Sequence, residues 1–145
     1  MSDAELLQLE QLGAEERALV EAARTASQRA YARYSGYRVG AAVRSEDGRI
    51  FSGCNVENAS YGATMCAERS AIFGLVSAGA RSISAVCVYA PAEPMAMPCG
   101  MCRQVIAEFC RDAPVLVAGP RGVLRRSFAA LLPEAFRLDA EGRTS

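Results

Sequence analysis

The sequence predicts an α/β protein of three layers, αβα, with a mixed five-stranded sheet between helices in the chain order αββαβαββα. Three observations carry that reading. The hydrophobic period changes from helical to alternating near residue 37. Two short turns, Asp47-Gly48 and Gly119-Pro120-Arg121-Gly122, each join two strand-like runs, which makes those pairs antiparallel. Between them, Ser82–Ala90 is a nearly all-apolar, β-branched run flanked by helical segments, the pattern of a central strand covered on both faces.

From Ala14 to about Tyr34, Leu19, Ala22, Ala23, Ala26 and Ala30 recur at helical spacing among charges, giving an amphipathic helix. Tyr37–Ser45 and Arg49–Val56 follow as a hairpin. The polar stretch "ENASYGAT" leads into a helix through "MCAERSAIFGLVSAGA", with Gly79 as its C′ residue. After the central strand and the proline-rich loop "PAEPMAMP", Pro98 suits the first turn of a helix through "CGMCRQVIAEFC". "APVLVAG" and "GVLRRSF" are the last strands, and "FAALLPEAF" is a short helix stopped near Pro133.

A chain of 145 residues fits one domain, 1–145, with residues 1–13 expected as a flexible N-terminal segment. Sixteen basic and sixteen acidic residues cancel, so no basic face tracks a polyanion, and a small-molecule partner is favoured over nucleic acid. The start is acidic and interrupted, unlike a signal peptide, and no apolar run approaches a membrane span. A cytoplasmic protein is expected. In that setting the six cysteines are reduced rather than paired.

Cys99 and Cys102 form a C-x-x-C, which spacing alone leaves open among half a metal site, a thiol–disulfide couple and two packed residues. There is no histidine to complete a metal site. Cys66, however, opens the helix after the second strand, as the C-x-x-C opens the helix after the third, and βαβ packing sets those helix starts side by side. Their unpaired N–H groups stabilise anions and lower thiol pKa. Three thiolates leave one tetrahedral position on zinc open, which marks a catalytic rather than a structural site. Glu68, two residues beyond Cys66, is the candidate proton shuttle. Three thiolate charges outweigh those of the ion, so Arg69 and Arg103, each beside a site residue, are candidates to hydrogen-bond the sulfurs and restore Lewis acidity. Cys87 and Cys110 read as packed residues, and so does Cys54, although it adjoins the site.

Cys66-Ala67-Glu68 followed by Pro98-Cys99-Gly100-Met101-Cys102, together with "VGAAV", "GCNVENASYG", "CRQVIAEF" and "LLPEAF", resembles the small, homotetrameric, zinc-dependent cytidine deaminases from about Tyr31 to Phe136. The resemblance implies hydrolysis of cytidine or deoxycytidine to uridine or deoxyuridine and ammonia, with one Zn2+ per subunit. It places the ribose hydroxyls on Asn55 and Glu57, the nucleoside against Tyr37, the pyrimidine on the Ala67 backbone, and Tyr61 and Phe136 at a subunit junction of a homotetramer. The chain departs from the family pattern at Arg33, Tyr37, Met97 and Met101, which bears on tolerance of N4- or C5-substituted cytidines. Two alternatives are a deaminase of a cytosine nucleoside antibiotic such as blasticidin S, which "NVEN" disfavours, and a non-catalytic zinc protein, which the presence of Glu68 disfavours.

Overall fold

The computed structural model describes residues 6–139. The elements are α1 (Ala14–Ser27), β1 (Gly40–Ser45), β2 (Ile50–Cys54), α2 (Ala67–Ser77), β3 (Ile83–Tyr89), α3 (Gly100–Phe109), β4 (Pro114–Gly119), β5 (Gly122–Ser127) and α4 (Phe128–Leu131), in the expected order. They form one sheet in the order β2-β1-β3-β4-β5. β1 runs antiparallel to both β2 and β3, β3 parallel to β4, and β4 antiparallel to β5. The single parallel step is the one crossed by α3.

Alternation along the strands divides the core in two. On one face Val43, Val86, Val88, Val115 and Val117 pack with Ile72 and Leu75 of α2, Ile106 of α3 and Phe128 of α4. On the other, Ala42, Cys87 and Leu116 meet Leu19, Val20 and Ala23 of α1. Two glycines permit this closeness. A Cβ on Gly40 would lie 1.9 Å from the Ala23 carbonyl oxygen, and one on Gly53 would lie 2.6 Å from the Ala71 nitrogen. α1 and α2 therefore sit directly on strand backbone.

Several boundaries differ from the expected ones. α1 ends at Ser27 because Tyr31 is drawn into pairing with the segment after β2: its N–H donates to the Asn55 carbonyl at 3.0 Å, and its carbonyl accepts from Glu57 N–H at 2.8 Å. Those contacts override helical periodicity over residues 28–34. Pro98 lies two residues before α3 begins, since Cys99 is the N-cap. Gly79 has φ +96°, as a C′ glycine after Ala78 requires. Residues 1–5 lie outside the described residues. Residues 6–13, expected to be loose, are held in place: Leu7 exchanges two 2.8 Å hydrogen bonds with Val123 of β5, and Leu12 is buried. No helix among the described residues is long and apolar enough to cross a membrane.

Candidate active site

Both sulfur-bearing helices begin with a cysteine where a serine or aspartate is usual. Cys66 is the N-cap of α2 and Cys99 that of α3, both extended in backbone and neither bonding its own helix through its side chain. The thiols thus remain available while sitting at the positive end of a helix. Cys102 joins them from the first turn of α3, three residues after Cys99 and on the same side. The Cys66 and Cys99 sulfurs are 3.9 Å apart, and all three sulfurs lie within 4.8 Å of one another. Tetrahedral zinc with bonds of about 2.3 Å requires ligand sulfurs about 3.8 Å apart. The donor set therefore fits zinc in chemistry and in spacing, with one position left for solvent or substrate.

Electrostatics support the same assignment. The Cys66 thiol is pulled down to about 5, chiefly by a hydrogen bond from the Cys102 thiol and then by Arg69, while Cys102 is pushed up by that same bond and by burial. The Arg69 Nη2 donates to the Cys66 sulfur at 3.2 Å, and its Nε is buried without a partner among the described residues. Glu68 is only 4% exposed. Burial, and to a lesser degree the Cys66 thiolate, pushes its carboxyl up to about 7 against the pull of its own main-chain N–H. A carboxylate so placed is unlike a solvated helix residue.

Cys66, Cys99, Glu68 and Ala67 line a cavity of about 450 Å³ that also takes in Tyr37, Asn55 and the loop Pro94–Met97. Asn55 staples its floor: Oδ1 accepts from Val39 N–H at 2.9 Å and Nδ2 donates to the Tyr37 carbonyl at 2.8 Å. The Tyr37 hydroxyl donates to the Pro94 carbonyl, which closes the loop over the cavity.

Not every expected residue reaches this space. Glu57 faces an adjoining cavity of about 390 Å³ with Tyr34 and Tyr61, and Thr64 lines both spaces. Its carboxylate accepts from the N–H groups of Tyr34 and Ser35 and from the Ser35 hydroxyl, the last contact being the main reason its pKa is lowered. Tyr61 and Phe136 project outward, 78% and 60% exposed, so within one chain neither meets the sulfurs. Arg103 corrects the expectation of a thiolate partner: its guanidinium donates to the carbonyls of Pro98 and Leu131. Of the two arginines, Arg69 is the one bonded to sulfur.

Residues missed from sequence include Thr64, Met65 and Met95, which line the cavity, whereas Met101 is 64% exposed and outside it. The methionine wall is Met65, Met95 and Met97. Cys87 is buried in β3 and Cys110 half-buried at the end of α3, the latter thiol raised to about 11 by burial. Among the described residues, no other group of three or more His, Cys, Asp or Glu is placed to hold a metal.

Comparison with known proteins agrees with this geometry. A family profile described as "Cytidine and deoxycytidylate deaminase zinc-binding region" matches residues 14–118. A cytidine deaminase of Sporosarcina psychrophila is 48% identical over 120 residues, covering 81% of this chain and 88% of its own. The crystal structure of a cytidine deaminase from Burkholderia pseudomallei superposes with a TM-score of 0.77 at 45% identity, covering 82% of this chain and 97% of its own. A blasticidin-S deaminase of Bacillus cereus is more distant, 31% identical over 105 residues, with coverage of 67% and 75%.

Proposed function

The chain belongs to the cytidine and deoxycytidylate deaminase family, and on that premise we propose that cytidine and deoxycytidine are hydrolysed in the cavity bounded by Cys66, Cys99 and Glu68. The protein is a zinc-dependent enzyme that deaminates cytidine. The observation that carries the residue assignment is a cluster of three sulfurs, two of whose residues, Cys66 and Cys99, line one cavity together with the buried carboxylate of Glu68.

Cys66, Cys99 and Cys102 hold one Zn2+ per subunit, which when bound supplies the Lewis acidity that activates water for attack at C4 of the pyrimidine. Glu68 handles the protons. Its carboxylate takes one proton from the attacking water and delivers it to N3, then takes the second from the new C4 hydroxyl and delivers it to the departing amine. Each transfer leaves the carboxylate ready for the next, so one group serves the whole exchange of NH3 for oxygen. Burial keeps those protons from bulk water. Arg69 bonds the Cys66 sulfur and offsets the excess negative charge of three thiolates.

Ala67, with its backbone at the first turn of α2, meets the pyrimidine, and Asn55 and Tyr37 contact the nucleoside from the cavity floor. Glu57 reaches the ribose from the adjoining space across Thr64. The methionine wall extends the substrate range to modified cytidines, because thioethers repack easily.

The working form is a homotetramer in the cytoplasm, with Tyr61 and Phe136 at subunit junctions. Exposed Tyr31, Tyr34, Tyr61, Phe73 and Phe136 support association, and six unpaired cysteines support a reducing compartment.

Purified protein of measured zinc content, incubated with cytidine, deoxycytidine, N4- and C5-substituted cytidines and blasticidin S, tests the reading through ammonia release and the ultraviolet change on deamination. Ammonia from cytidine and deoxycytidine is expected, with weaker turnover of blasticidin S. A zinc-loaded protein inert toward every cytosine nucleoside would sink the assignment. Light scattering should give a mass of four chains.

A further inference from the structure

Arg103 stands next to Cys102 in sequence yet serves neither thiol. Its Nε donates to the Pro98 carbonyl and its Nη1 to the Leu131 carbonyl, both at 2.8 Å, while its own N–H donates to the Cys99 carbonyl at 2.9 Å. We propose that Arg103 is a positioning residue that clamps the turn carrying Cys99 to the C-terminal segment and thereby sets the hold on the metal. This rests on the assignment of Cys66, Cys99 and Cys102 as the zinc ligands.

Pro98 explains why a clamp is needed. It precedes the Cys99 N-cap, ends a loop that contains Pro91 and Pro94, and has no N–H of its own, so its carbonyl is its sole main-chain hydrogen-bonding group. Arg103 takes that group from inside α3, so both the main chain and the side chain of one residue fix the position of Cys99. The other end of the clamp is the carbonyl of Leu131, the last residue of α4, which lies past the one carbonyl, that of Phe128, taken up by the Leu132 N–H at the helix end.

The neighbouring contacts extend the connection. Gln104 Nε2 donates to the Phe136 carbonyl at 2.9 Å, and Arg137 donates to the Ala107 carbonyl. Between these ties the chain turns through Pro133 and Glu134, the latter at φ +54°. α3, which carries two of the three thiols, therefore also anchors residues 131–137. Displacing that segment should be felt at Cys99 through Arg103.

The planar guanidinium is what allows two carbonyls in different directions to be held at once. A lysine keeps the charge but offers a single ammonium, which cannot reproduce the fork. Charge and clamp are thus separable by Arg103→Lys. Zinc release from the intact loaded enzyme into a chromogenic chelator is measured for wild type, Arg103→Lys and Arg103→Ala. Arg81→Lys serves as a control, because Arg81 also bonds two carbonyls, Val76 and Ala80, but contacts no ligand turn.

Release about ten-fold faster in both Arg103 variants, with Arg81→Lys unchanged, is the expected result. The gain in Tm on adding zinc should shrink in the Arg103 variants, and kcat at saturating zinc should stay within about three-fold of wild type while the zinc required rises about ten-fold. Release at the wild-type rate from Arg103→Lys overturns the clamp, as does an equal fall in Tm of the metal-free and loaded forms without faster release. Wild-type protein that retains no zinc overturns the ligand assignment itself, a result distinct from both.

Discussion

Gly53→Ala puts pressure on the site from behind. The added methyl would lie 2.6 Å from the Ala71 nitrogen, 2.7 Å from the Ser70 Cβ and 2.9 Å from the Ser70 carbonyl carbon, and two of these three are backbone atoms that cannot rotate away. An ordinary contact of about 3.4 Å is restored only if α2 backs off the sheet by roughly 0.8 Å, an overpacking strain of about 1–3 kcal/mol. Alanine recovers about 0.5–1 kcal/mol through lower chain entropy, so a net loss near 1–2 kcal/mol is expected. The consequence for activity is larger, because Ser70 N–H bonds the Cys66 carbonyl at 3.1 Å and the shift is passed to Cys66 and Glu68. Misplacement on the order of 1 Å costs about 10²-fold in rate, so kcat/KM for cytidine should fall between about ten- and a hundred-fold.

Gly40→Ala provides the contrast. Its methyl would strike the Ala23 carbonyl oxygen at 1.9 Å and push α1 on the opposite face, so stability should fall by about 3 kcal/mol or more while kcat of the folded fraction is retained. Denaturant unfolding and steady-state kinetics on the two variants separate these outcomes. Wild-type kcat/KM in a destabilised Gly53→Ala enzyme would refute the rigid link between β2 and the N-terminus of α2.

Arg69→Ala should lower turnover at least ten-fold and Tm only slightly, since its guanidinium serves the Cys66 sulfur; equal turnover in loaded wild type and variant counts against that role. Met97→Phe stiffens the methionine wall and should reduce kcat/KM for N4- or C5-substituted cytidines about ten-fold more than for cytidine, whereas parallel losses would place the selectivity elsewhere. At the far side of the sheet, Arg125 donates to both Glu16 carboxylate oxygens at 2.9 and 2.7 Å and is the main cause of its lowered pKa, acting against partial burial. A depressed carboxylate stabilises above its unfolded value near 4.5 and loses that contribution as pH falls through the folded value. Glu16→Gln should therefore cost about 0.5 kcal/mol at pH 7 and progressively less as pH falls through the folded value, and a difference that does not shrink in acid would exclude the ion pair as its source.

The chain order of helices and strands was legible because each element has its own period or turn signal, from the alanine-rich spacing of α1 to Asp47-Gly48 between β1 and β2. Cys66, Glu68, Cys99 and Cys102 were legible for a similar reason: short spacing at a helix start fixes direction as well as position. Arg103 shows the limit of adjacency. It follows Cys102 by one residue, about 100° around the helix, and so turns to carbonyls, whereas Arg69 follows Cys66 by three and shares its side.

Asn55 and Glu57 would share a face if β2 continued, but β2 ends at Cys54 and the two side chains enter different cavities. Met95 and Met97 lie in a proline-rich loop without period, so nothing in their spacing tells which of the nearby methionines lines the pocket. Tertiary hydrogen bonds at Tyr31 likewise shorten α1 where its own periodicity continues.

Glu68→Gln tests the central claim most directly, because the amide keeps shape and burial but cannot carry the proton. Cytidine turnover and zinc content are measured on the same sample. A fall in kcat of about 10²–10⁴-fold with one zinc per chain retained is the expected result. Turnover close to wild type in the zinc-loaded variant would contradict the assignment of Glu68 as the group that moves protons between water, N3 and the departing amine.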